Sequence, residues 1–250
     1  MYSSGKVFDG LGTGRLDTEN FLRSGALDGV TSRSDLALLE DFRDVSEYIL
    51  ENRDRPITSD YVRAVNSQIT RSGPLNLGAY RTGAQNIGVT TPYGRHEPQP
   101  SSDVKLQQLI DKAMALPGPR EQALELFVEI AKAQPFEDGN KRTALFVANS
   151  LLIREPQPEL LVVPIDESSP YEASKSAVRF NDFLAQAYVL YENDGIKQLL
   201  RTKGFVRPTP DRAATRDSEQ RGIASARRVV RRPTSEPETD GPLTDDEFQL

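Results

Sequence analysis

The amino-acid sequence predicts a mainly α-helical protein with one small β-hairpin. Apolar residues recur three or four positions apart in most segments between residues 34 and 200, which is the spacing of one helix face. One short β-branched stretch, 86–91, lies between glycine and proline and predicts a strand or hairpin. With 250 residues and 37% hydrophobic content, the chain can bury one core with extensions.

The first two predicted helices follow polar caps. Ser34 precedes one apolar series at helical spacing, and Thr58 with Ser59 precedes a second. We expect both to be ordinary helices of a bundle, with their apolar faces inward. The two series are Leu36, Leu39, Phe42, Val45 and Ile49, and then Tyr61, Val65 and Ile69.

The next predicted helices lead to a central one. A Pro-Gly-Pro run at 117–119 separates two helical segments, and Pro135 ends the second of them one residue beyond Gln134. The helix that begins near Asn140 has apolar residues around most of its circumference, so we expect it to be buried in the bundle. The predicted segments are 104–116, 122–133, the helix from Asn140, 171–191 and 195–200.

The chain outside this core is expected to be less regular. Residues 10–14, with three glycines, predict a flexible lead-in. From about residue 206 a block of arginines and then a block of acidic residues replace the apolar pattern, which predicts a disordered charged tail. The predicted organisation is an N-terminal extension at 1–33, a core at 34–205 and a tail at 206–250. The tail is either a solvated linker or a docking segment for a protein partner.

Composition excludes several classes of function. The lack of cysteine removes disulfide and thiolate chemistry, and a single histidine argues against a structural zinc site. That histidine, His96, is expected to be a solvated loop residue. No apolar run has the length of a signal peptide or a membrane span, so we expect a cytoplasmic location and no membrane partner. The formal net charge of −6 argues against nucleic acid as the main partner.

The segment 134–142, Gln-Pro-Phe-Glu-Asp-Gly-Asn-Lys-Arg, carries the strongest functional signal. A helix that starts directly after a Gly-Asn turn leaves several N–H groups without intrahelical acceptors, and these groups bind anions together with the helix dipole. Lys141 and Arg142 add positive charge, and Asp138 can hold Mg²⁺ against phosphate groups. The alternative is a helix capped by its own Asp138 and Asn140, with no ligand. A P-loop does not fit, because a helix rather than a strand precedes the turn.

At these residues the chain resembles the Fic/Doc family, whose signature is His-x-Phe-x-Asp/Glu-Gly/Ala-Asn-Gly/Lys-Arg. Residues 135–142 match it at nearly every constrained position, and the resemblance covers about 24–165. Residues 78–81, Gly-Ala-Tyr-Arg, followed by 86–91 look like the lead-in to the family's target-binding flap. The resemblance implies a mainly α-helical Fic fold and a reaction in which ATP donates AMP to a hydroxyl group of a target protein.

The resemblance also implies roles for individual residues. Asp138 would hold Mg²⁺, and the flap would hold a segment of the target protein by strand addition. Phe136, which anchors the loop in the core, would belong to the nucleotide-binding set with Gly139, Asn140, Lys141 and Arg142. The flap residues would be Asn86, Ile87, Gly88, Val89 and Thr90.

The sequence departs from the family at the catalytic base. The family's histidine falls on Gln134, which can orient a hydroxyl group but cannot accept its proton. Loss of a general base typically removes about 10²–10⁴ in rate, or roughly 3–5 kcal/mol of barrier. His96 lies beyond the flap and is a poor substitute. A substitution introduced at position 134 is another explanation that one sequence leaves open.

Further positions, within the motif and on either side of it, bear on the chemistry. Leu145 stands where adenylylating members have a second arginine. The lack of this arginine is shared with Doc proteins, and resemblance to them implies phosphate transfer. Lys141 also follows Doc proteins, whereas Gly139 follows the adenylylating branch. Residues 24–29 resemble the family's inhibitory motif, with an aspartate in place of its glutamate, and an ordinary Asp-Gly turn is the alternative. The candidate inhibitory residues are Ser24 and Asp28.

The sequence therefore predicts an adenylyltransferase-like Fic protein that binds ATP and Mg²⁺ and has weak or no turnover. Whether it is an enzyme stays open. One alternative is a non-catalytic protein that binds a nucleotide or a partner, and another is a Doc-like protein phosphotransferase. The expected partners are a target protein at the flap and a protein bound by the tail.

Overall fold

Within the residues that the computed structural model describes, 1–85 and 87–208, helices make up most of the fold. None of these helices is long and apolar enough to cross a membrane. The helical elements are α1 (Tyr2–Ser4), a π-helical turn (Gly5–Asp9), α2 (Arg15–Ser24), α3 (Arg33–Glu51), α4 (Ser59–Asn66), α5 (Asp103–Met114), α6 (Pro119–Ala133), α7 (Asn140–Leu152), α8 (Pro170–Val189) and α9 (Asp194–Lys203). The strands are β1 (Val89–Thr91), β2 (Gly94–His96), β3 (Leu160–Leu161) and β4 (Phe205–Val206).

The central helix is α7, as its sequence predicts. It begins at Asn140, and every residue from Arg142 to Leu152 is buried. It packs against α6 and also contacts α3, α4 and β3. The predicted fold class, a helical protein with one small hairpin, is confirmed. The predicted tail at 206–250 lies almost wholly outside the described residues.

The helix starts follow local chemistry, with one correction. Thr58 caps α4 as predicted, because its side chain accepts a hydrogen bond from Tyr61 N. The cap of α3 is Ser32, whose side chain accepts from Asp35 N, and the predicted cap, Ser34, lies inside the first turn. α6 begins three residues earlier than predicted, since Pro119 occupies a first-turn position where its missing N–H costs nothing.

The glycine-rich segment 10–14 is ordered and partly buried rather than flexible. Leu11 and Thr13 are buried. The Asp35 carboxylate accepts from Gly12 N (3.2 Å), from Thr13 N (2.6 Å) and from the Thr13 hydroxyl (2.6 Å). These three bonds tie the segment to the start of α3, and the prediction of flexibility is wrong here for that reason.

Two short antiparallel sheets complete the fold. β1 and β2 form the hairpin that residues 86–91 predict, with Val89 opposite His96 and Thr91 opposite Gly94. His96 therefore lies on a strand and is buried, in contrast to the solvated loop position expected from sequence. β3 and β4 pair at the edge of the bundle and were not predicted, because two residues carry no periodic pattern.

Candidate functional site: the loop between α6 and α7

The loop between α6 and α7 begins at a left-handed residue. Gln134 ends α6 with φ 42° and ψ 61°, and its N–H donates to Ile130 O. Pro135 follows and has no N–H with which to continue the helix. Gln134 is 6% exposed as a residue, so it lies inside the protein rather than on its surface.

Phe136 and Asn140 hold the loop in one conformation. Phe136 is fully buried and stacks on Tyr80, with ring centroids 6.0 Å apart and nearly parallel planes. The Asn140 side chain accepts from Phe136 N and donates to Phe136 O, both at 2.9 Å. Because the Asn140 amide spans both backbone groups of Phe136, it is not available to cap α7.

α7 starts in the geometry of an anion-binding site. Gly139 has φ 72° and ψ 8°, a conformation that strains any other residue, and a Cβ at this position would lie 2.8 Å from Ile69 Cδ1 and force that side chain to shift. Among the described residues, no side chain caps the helix. The nearest carboxylate, Asp138, accepts from Gly139 N at 2.6 Å instead. The first N–H groups of α7 are therefore left for a ligand, which favours the anion-site interpretation over a self-capped helix.

A cavity of about 240 Å³ opens at this helix start. It is lined by the loop, the flap and the N-terminal π-helical turn, together with residues of α6, α7 and α8. The lining residues are Phe8, Asp9, Ile87, Gly88, Val89, Ala131, Gln134, Glu137, Asp138, Gly139, Asn140, Lys141, Arg142 and Tyr188. Every predicted nucleotide-binding residue except the buried anchor Phe136 lines this cavity.

The two cations of the motif already have partners inside the protein. Arg142 is buried, and its Nε lies 3.3 Å from an Asp9 carboxylate oxygen. Its other guanidinium nitrogens donate to the Ser72 hydroxyl (2.6 Å) and to Ser72 O (2.8 Å). Lys141 Nζ lies 5.1 Å from the centre of the Phe8 ring, and burial lowers the pKa of Lys141.

The Asp138 carboxylate has the chemistry of a magnesium ligand. Asp138 is exposed and lines the cavity, and one of its carboxylate oxygens accepts a hydrogen bond from Gly139 N. Among the described residues there is no cluster of three or more carboxylate or imidazole groups that would enclose a metal. Mg²⁺ is commonly held by one or two carboxylates, with water and substrate phosphates as the other ligands, so a single carboxylate is a suitable donor set.

The comparison with family models addresses this region directly. Residues 56–152 match the model described as the Fic/DOC family. The matched segment includes the loop, all of α6 and α7, and the flap. This part of the chain is therefore similar to Fic/DOC proteins. No curated protein matches the sequence significantly.

Solved Fic structures share the fold at low sequence identity. A Fic domain containing signaling protein from Bacteroides thetaiotaomicron is 20% identical, has a TM-score of 0.62, and is matched over 81% of this chain and 80% of that chain. Fic-1 from C. elegans is 15% identical with a TM-score of 0.57, over 89% of this chain and 61% of that chain. A second form of Fic-1 gives a TM-score of 0.60. At these identities the likeness establishes the fold.

Arg81 holds the loop between α6 and α7 (residues 134–139, here called the Fic loop), although it lies far from that loop in sequence. The sequence did not indicate this role. The residue is 4% exposed. Its backbone N–H donates to Pro135 O at 3.0 Å and its Nε donates to Gln134 O at 2.6 Å. Its Nη2 donates to Pro98 O and to Gln99 O, beyond the flap. One guanidinium thus joins the start of the Fic loop to the chain that follows the hairpin.

Asn66, at the end of α4, is a second residue that the sequence did not single out. It is fully buried. Its Nδ2 donates to Asp138 O (3.2 Å) and to the Thr143 hydroxyl (3.0 Å), and its Oδ1 accepts from Gly78 N (3.1 Å). The amide therefore fixes the Fic loop against the segment that leads into the flap. Only the tertiary contacts reveal this role, since all three partners are distant in sequence.

Glu137 and His96 connect the flap to the helices. The Glu137 carboxylate accepts from Asn76 Nδ2 (2.8 Å) and from Gln85 Nε2, which lies just before the flap. His96, on β2, stacks on Tyr188 at 5.0 Å, and its Nε2 lies 2.7 Å from Lys132 O near the end of α6. Burial lowers the pKa of His96. The flap is thus attached both to the loop and to the end of α6.

The predicted flap residues lie beside the cavity only in part. Ile87, Gly88 and Val89 line it, whereas Thr90 is exposed on β1. Asn86 lies outside the described residues, so its place in the flap stays a prediction.

The candidate inhibitory residues and Leu145 lie away from the cavity lining. The Ser24 hydroxyl donates to Asn20 O at 2.8 Å, and Asp28 lies in an exposed turn. Leu145 is buried on α7 at 7% exposure. From the N-terminal extension, the acidic residue that lines the cavity is Asp9, which the sequence did not indicate because no motif marks it.

Proposed function

We propose that the chain binds ATP with Mg²⁺ at the start of α7 and is an adenylyltransferase-like Fic protein with weak or no turnover. The start of α7 carries this proposal. Gly139 turns the backbone, the first N–H groups face the cavity without a side-chain cap in the described chain, and two cations follow directly. Such a helix start suits the phosphate groups of a nucleotide.

The individual roles follow from position. The N–H groups of Asn140 and Lys141 would contact phosphate oxygens, and Asp138 would hold the metal. Bound Mg²⁺ would neutralise phosphate charge during transfer. A segment of a target protein would pair with the flap edge next to Ile87 and Val89 and so bring a hydroxyl group towards Gln134.

Gln134 is the reason to expect weak or no turnover. Its amide can accept a hydrogen bond from a target hydroxyl and orient it, but the amide does not take up the proton near neutral pH. General-base catalysis typically contributes about 10²–10⁴ in rate, so its loss leaves positioning and charge stabilisation alone. The same proposal includes a cytoplasmic location, the division into 1–33, 34–205 and 206–250, and a protein partner for the tail.

A second candidate is a non-catalytic protein that keeps the pocket to bind a nucleotide or a partner. Gln134 favours it, and so does Arg142, whose guanidinium is already bound by Asp9 and Ser72. A third candidate, phosphate transfer of the Doc type, is favoured by Leu145 and Lys141. The three candidates predict different labels on a target protein.

The test compares the Gln134 chain with Gln134→His, using ATP labelled at the α- or the γ-phosphate in cell lysate. Gln134→Asn is the matched control, because it changes the same side chain without supplying a base. We expect labelling from α-phosphate to rise by about 10²–10⁴ in Gln134→His only. Labelling from the γ-phosphate would indicate phosphate transfer instead.

Two results would contradict the proposal. Robust transfer by the Gln134 chain would refute both the weak turnover and the non-catalytic candidate. Failure of every form to bind ATP with Mg²⁺ in equilibrium dialysis would refute the anion site itself.

A further inference from the structure

Ser72 does not line the cavity at the start of α7, but it contacts a residue that does. The Arg142 guanidinium group donates from Nη1 to the Ser72 hydroxyl (2.6 Å) and from Nη2 to Ser72 O (2.8 Å). Arg142 is 3% exposed and lines the cavity. One serine therefore offers two acceptors, a hydroxyl oxygen and a carbonyl oxygen, to one guanidinium group.

Asp41, on α3, fixes the segment that carries Ser72. Asp41 is 1% exposed. Its carboxylate accepts hydrogen bonds of 2.7–3.2 Å from the backbone N–H groups of three consecutive residues, Thr70, Arg71 and Ser72. Arg71 Nη1 also lies 3.4 Å from this carboxylate and offsets its charge. The segment is held in one conformation, because its release would leave a buried charge unpaired.

The hydrogen-bond directions at the Ser72 hydroxyl follow from its two partners. The hydroxyl donates to Asp41 Oδ2 at 2.7 Å, because an ionised carboxylate only accepts. A guanidinium group only donates, so the hydroxyl oxygen accepts from Arg142. Asp41 thereby sets the orientation in which the hydroxyl presents a lone pair to Arg142.

Ser72 holds Arg142 in place without neutralising it. A hydroxyl and a carbonyl oxygen are uncharged acceptors, so the guanidinium group keeps its positive charge at these two contacts. It also keeps N–H donors that neither Ser72 nor the Asp9 carboxylate near Nε uses. A guanidinium group whose orientation is fixed before binding loses less entropy when an anion binds. These properties are those of an arginine that contacts phosphate groups.

We propose that Ser72 is a positioning residue of the nucleotide site, which acts through Arg142 on the phosphate groups. This inference rests on the proposed function, because it concerns the contact between Arg142 and phosphate. Ser72 lies outside the motif at 134–142, and the sequence did not indicate its role. Loss of its hydroxyl should leave Arg142 Nη1 without a fixed acceptor and so weaken the binding of ATP with Mg²⁺.

The test measures equilibrium dialysis of ATP with Mg²⁺ against the full chain and three serine variants. Ser72→Ala should bind about tenfold more weakly, which corresponds to about 1.4 kcal/mol. Ser72→Thr keeps the hydroxyl and should bind like the unchanged chain. Ser67→Ala is the matched control and should also bind like the unchanged chain, because the Ser67 hydroxyl donates to Arg63 O (2.9 Å) rather than to Asp41. Thermal unfolding checks that each variant is folded.

A double-mutant cycle with Arg142→Lys tests whether Ser72 acts through Arg142. Lysine has a single side-chain nitrogen and does not reproduce the two contacts of the guanidinium group with Ser72. In the Arg142→Lys chain, Ser72→Ala should therefore cause no further loss of ATP affinity. A merely structural role of Ser72 would weaken binding by the same factor in both chains.

A third measurement needs neither ATP nor a substitution at Ser72. In nitrogen-15 NMR, a guanidinium group that is held at both Nη atoms rotates slowly and gives separate Nη–H signals, whereas a free group gives averaged signals. Arg142 of the unchanged chain should give separate signals, which are assigned by their loss in Arg142→Lys. The same signals should become averaged in Ser72→Ala.

The outcomes separate the positioning role from the function on which it rests. Equal ATP affinity of the unchanged chain and Ser72→Ala, or averaged Arg142 signals in the unchanged chain, would overturn the role of Ser72 and leave the proposed function standing. Binding by Ser72→Thr as weak as by Ser72→Ala would also overturn it, because the hydroxyl would then not be the group that matters. No binding of ATP with Mg²⁺ by the unchanged chain or any variant would overturn the proposed function and this inference with it.

Discussion

Replacement of Asn66 by alanine should destabilise the protein, because it removes the hydrogen bonds that hold the Fic loop against α4 and the segment before the flap. The substitution removes three hydrogen bonds, to Asp138 O, to the Thr143 hydroxyl and from Gly78 N. At about 0.5–1.5 kcal/mol for each bond, and more where a buried group is left unpaired, the loss comes to about 3 kcal/mol. For a domain of 150–250 residues this corresponds to a fall in Tm of roughly 6–12 °C.

Urea unfolding of Asn66→Ala, followed by fluorescence or circular dichroism, measures this loss. Thr143→Val removes one of the three bonds at similar volume and should cost about 1 kcal/mol. Asn20→Ala, at an exposed position of α2, should change the free energy of unfolding by less than about 0.5 kcal/mol. If Asn66→Ala unfolds at the same urea midpoint as Asn20→Ala, with an unchanged m-value, the argument that Asn66 fastens the loop is refuted.

Three further outcomes are expected. Phe136→Ala should lose about 3–5 kcal/mol in urea unfolding, because Phe136 is fully buried against Tyr80; a loss below about 1 kcal/mol would show that the site collapses freely. Burial tends to raise the pKa of Asp35, but the hydrogen bonds from Thr13 and Gly12 outweigh it, so its folded pKa is lowered; its stabilisation should be present above about pH 4 and lost as the pH falls further, and Asp35→Asn should lack this part of the pH dependence. Burial lowers the folded pKa of His96, so stability should fall as the pH drops below about 6.5, with faster hydrogen exchange in 89–96; identical profiles for His96→Phe would contradict this.

Much of the fold follows from local sequence pattern. The apolar circumference of α7 predicted its burial, and Pro135 predicted the end of α6, because both effects act within a few residues. The true cap of α3 was missed by two positions, since Ser32 and Ser34 have the same chemistry and only backbone geometry separates them. Short strands such as β3 and β4 depend on their partner across the bundle rather than on their own residues.

The candidate site also has one part that the sequence predicts and another that only the structure shows. Residues 138–142 form a contiguous motif whose chemistry follows from a glycine turn and a helix start, so the sequence could predict it. Arg81 and Asn66 act on that motif through backbone carbonyls and amides far away in sequence. Asp9 reaches Arg142 only because the π-helical turn packs on the bundle. A backbone group has no sequence signature, so these supporting contacts become visible only in three dimensions.

Gln134→His is an informative substitution because contacts of the main chain, and not of the side chain, fix the backbone at this position. Gln134 is left-handed, which costs a non-glycine residue about 1–2 kcal/mol, and its carbonyl is held by Arg81 Nε at 2.6 Å. Those constraints act on the main chain and on Pro135, so they apply equally to histidine. The two forms should therefore share one backbone geometry and differ mainly in whether the side chain can accept a proton. A gain of transfer in Gln134→His would then measure the missing base, and no gain with ATP bound would place the block elsewhere in the site.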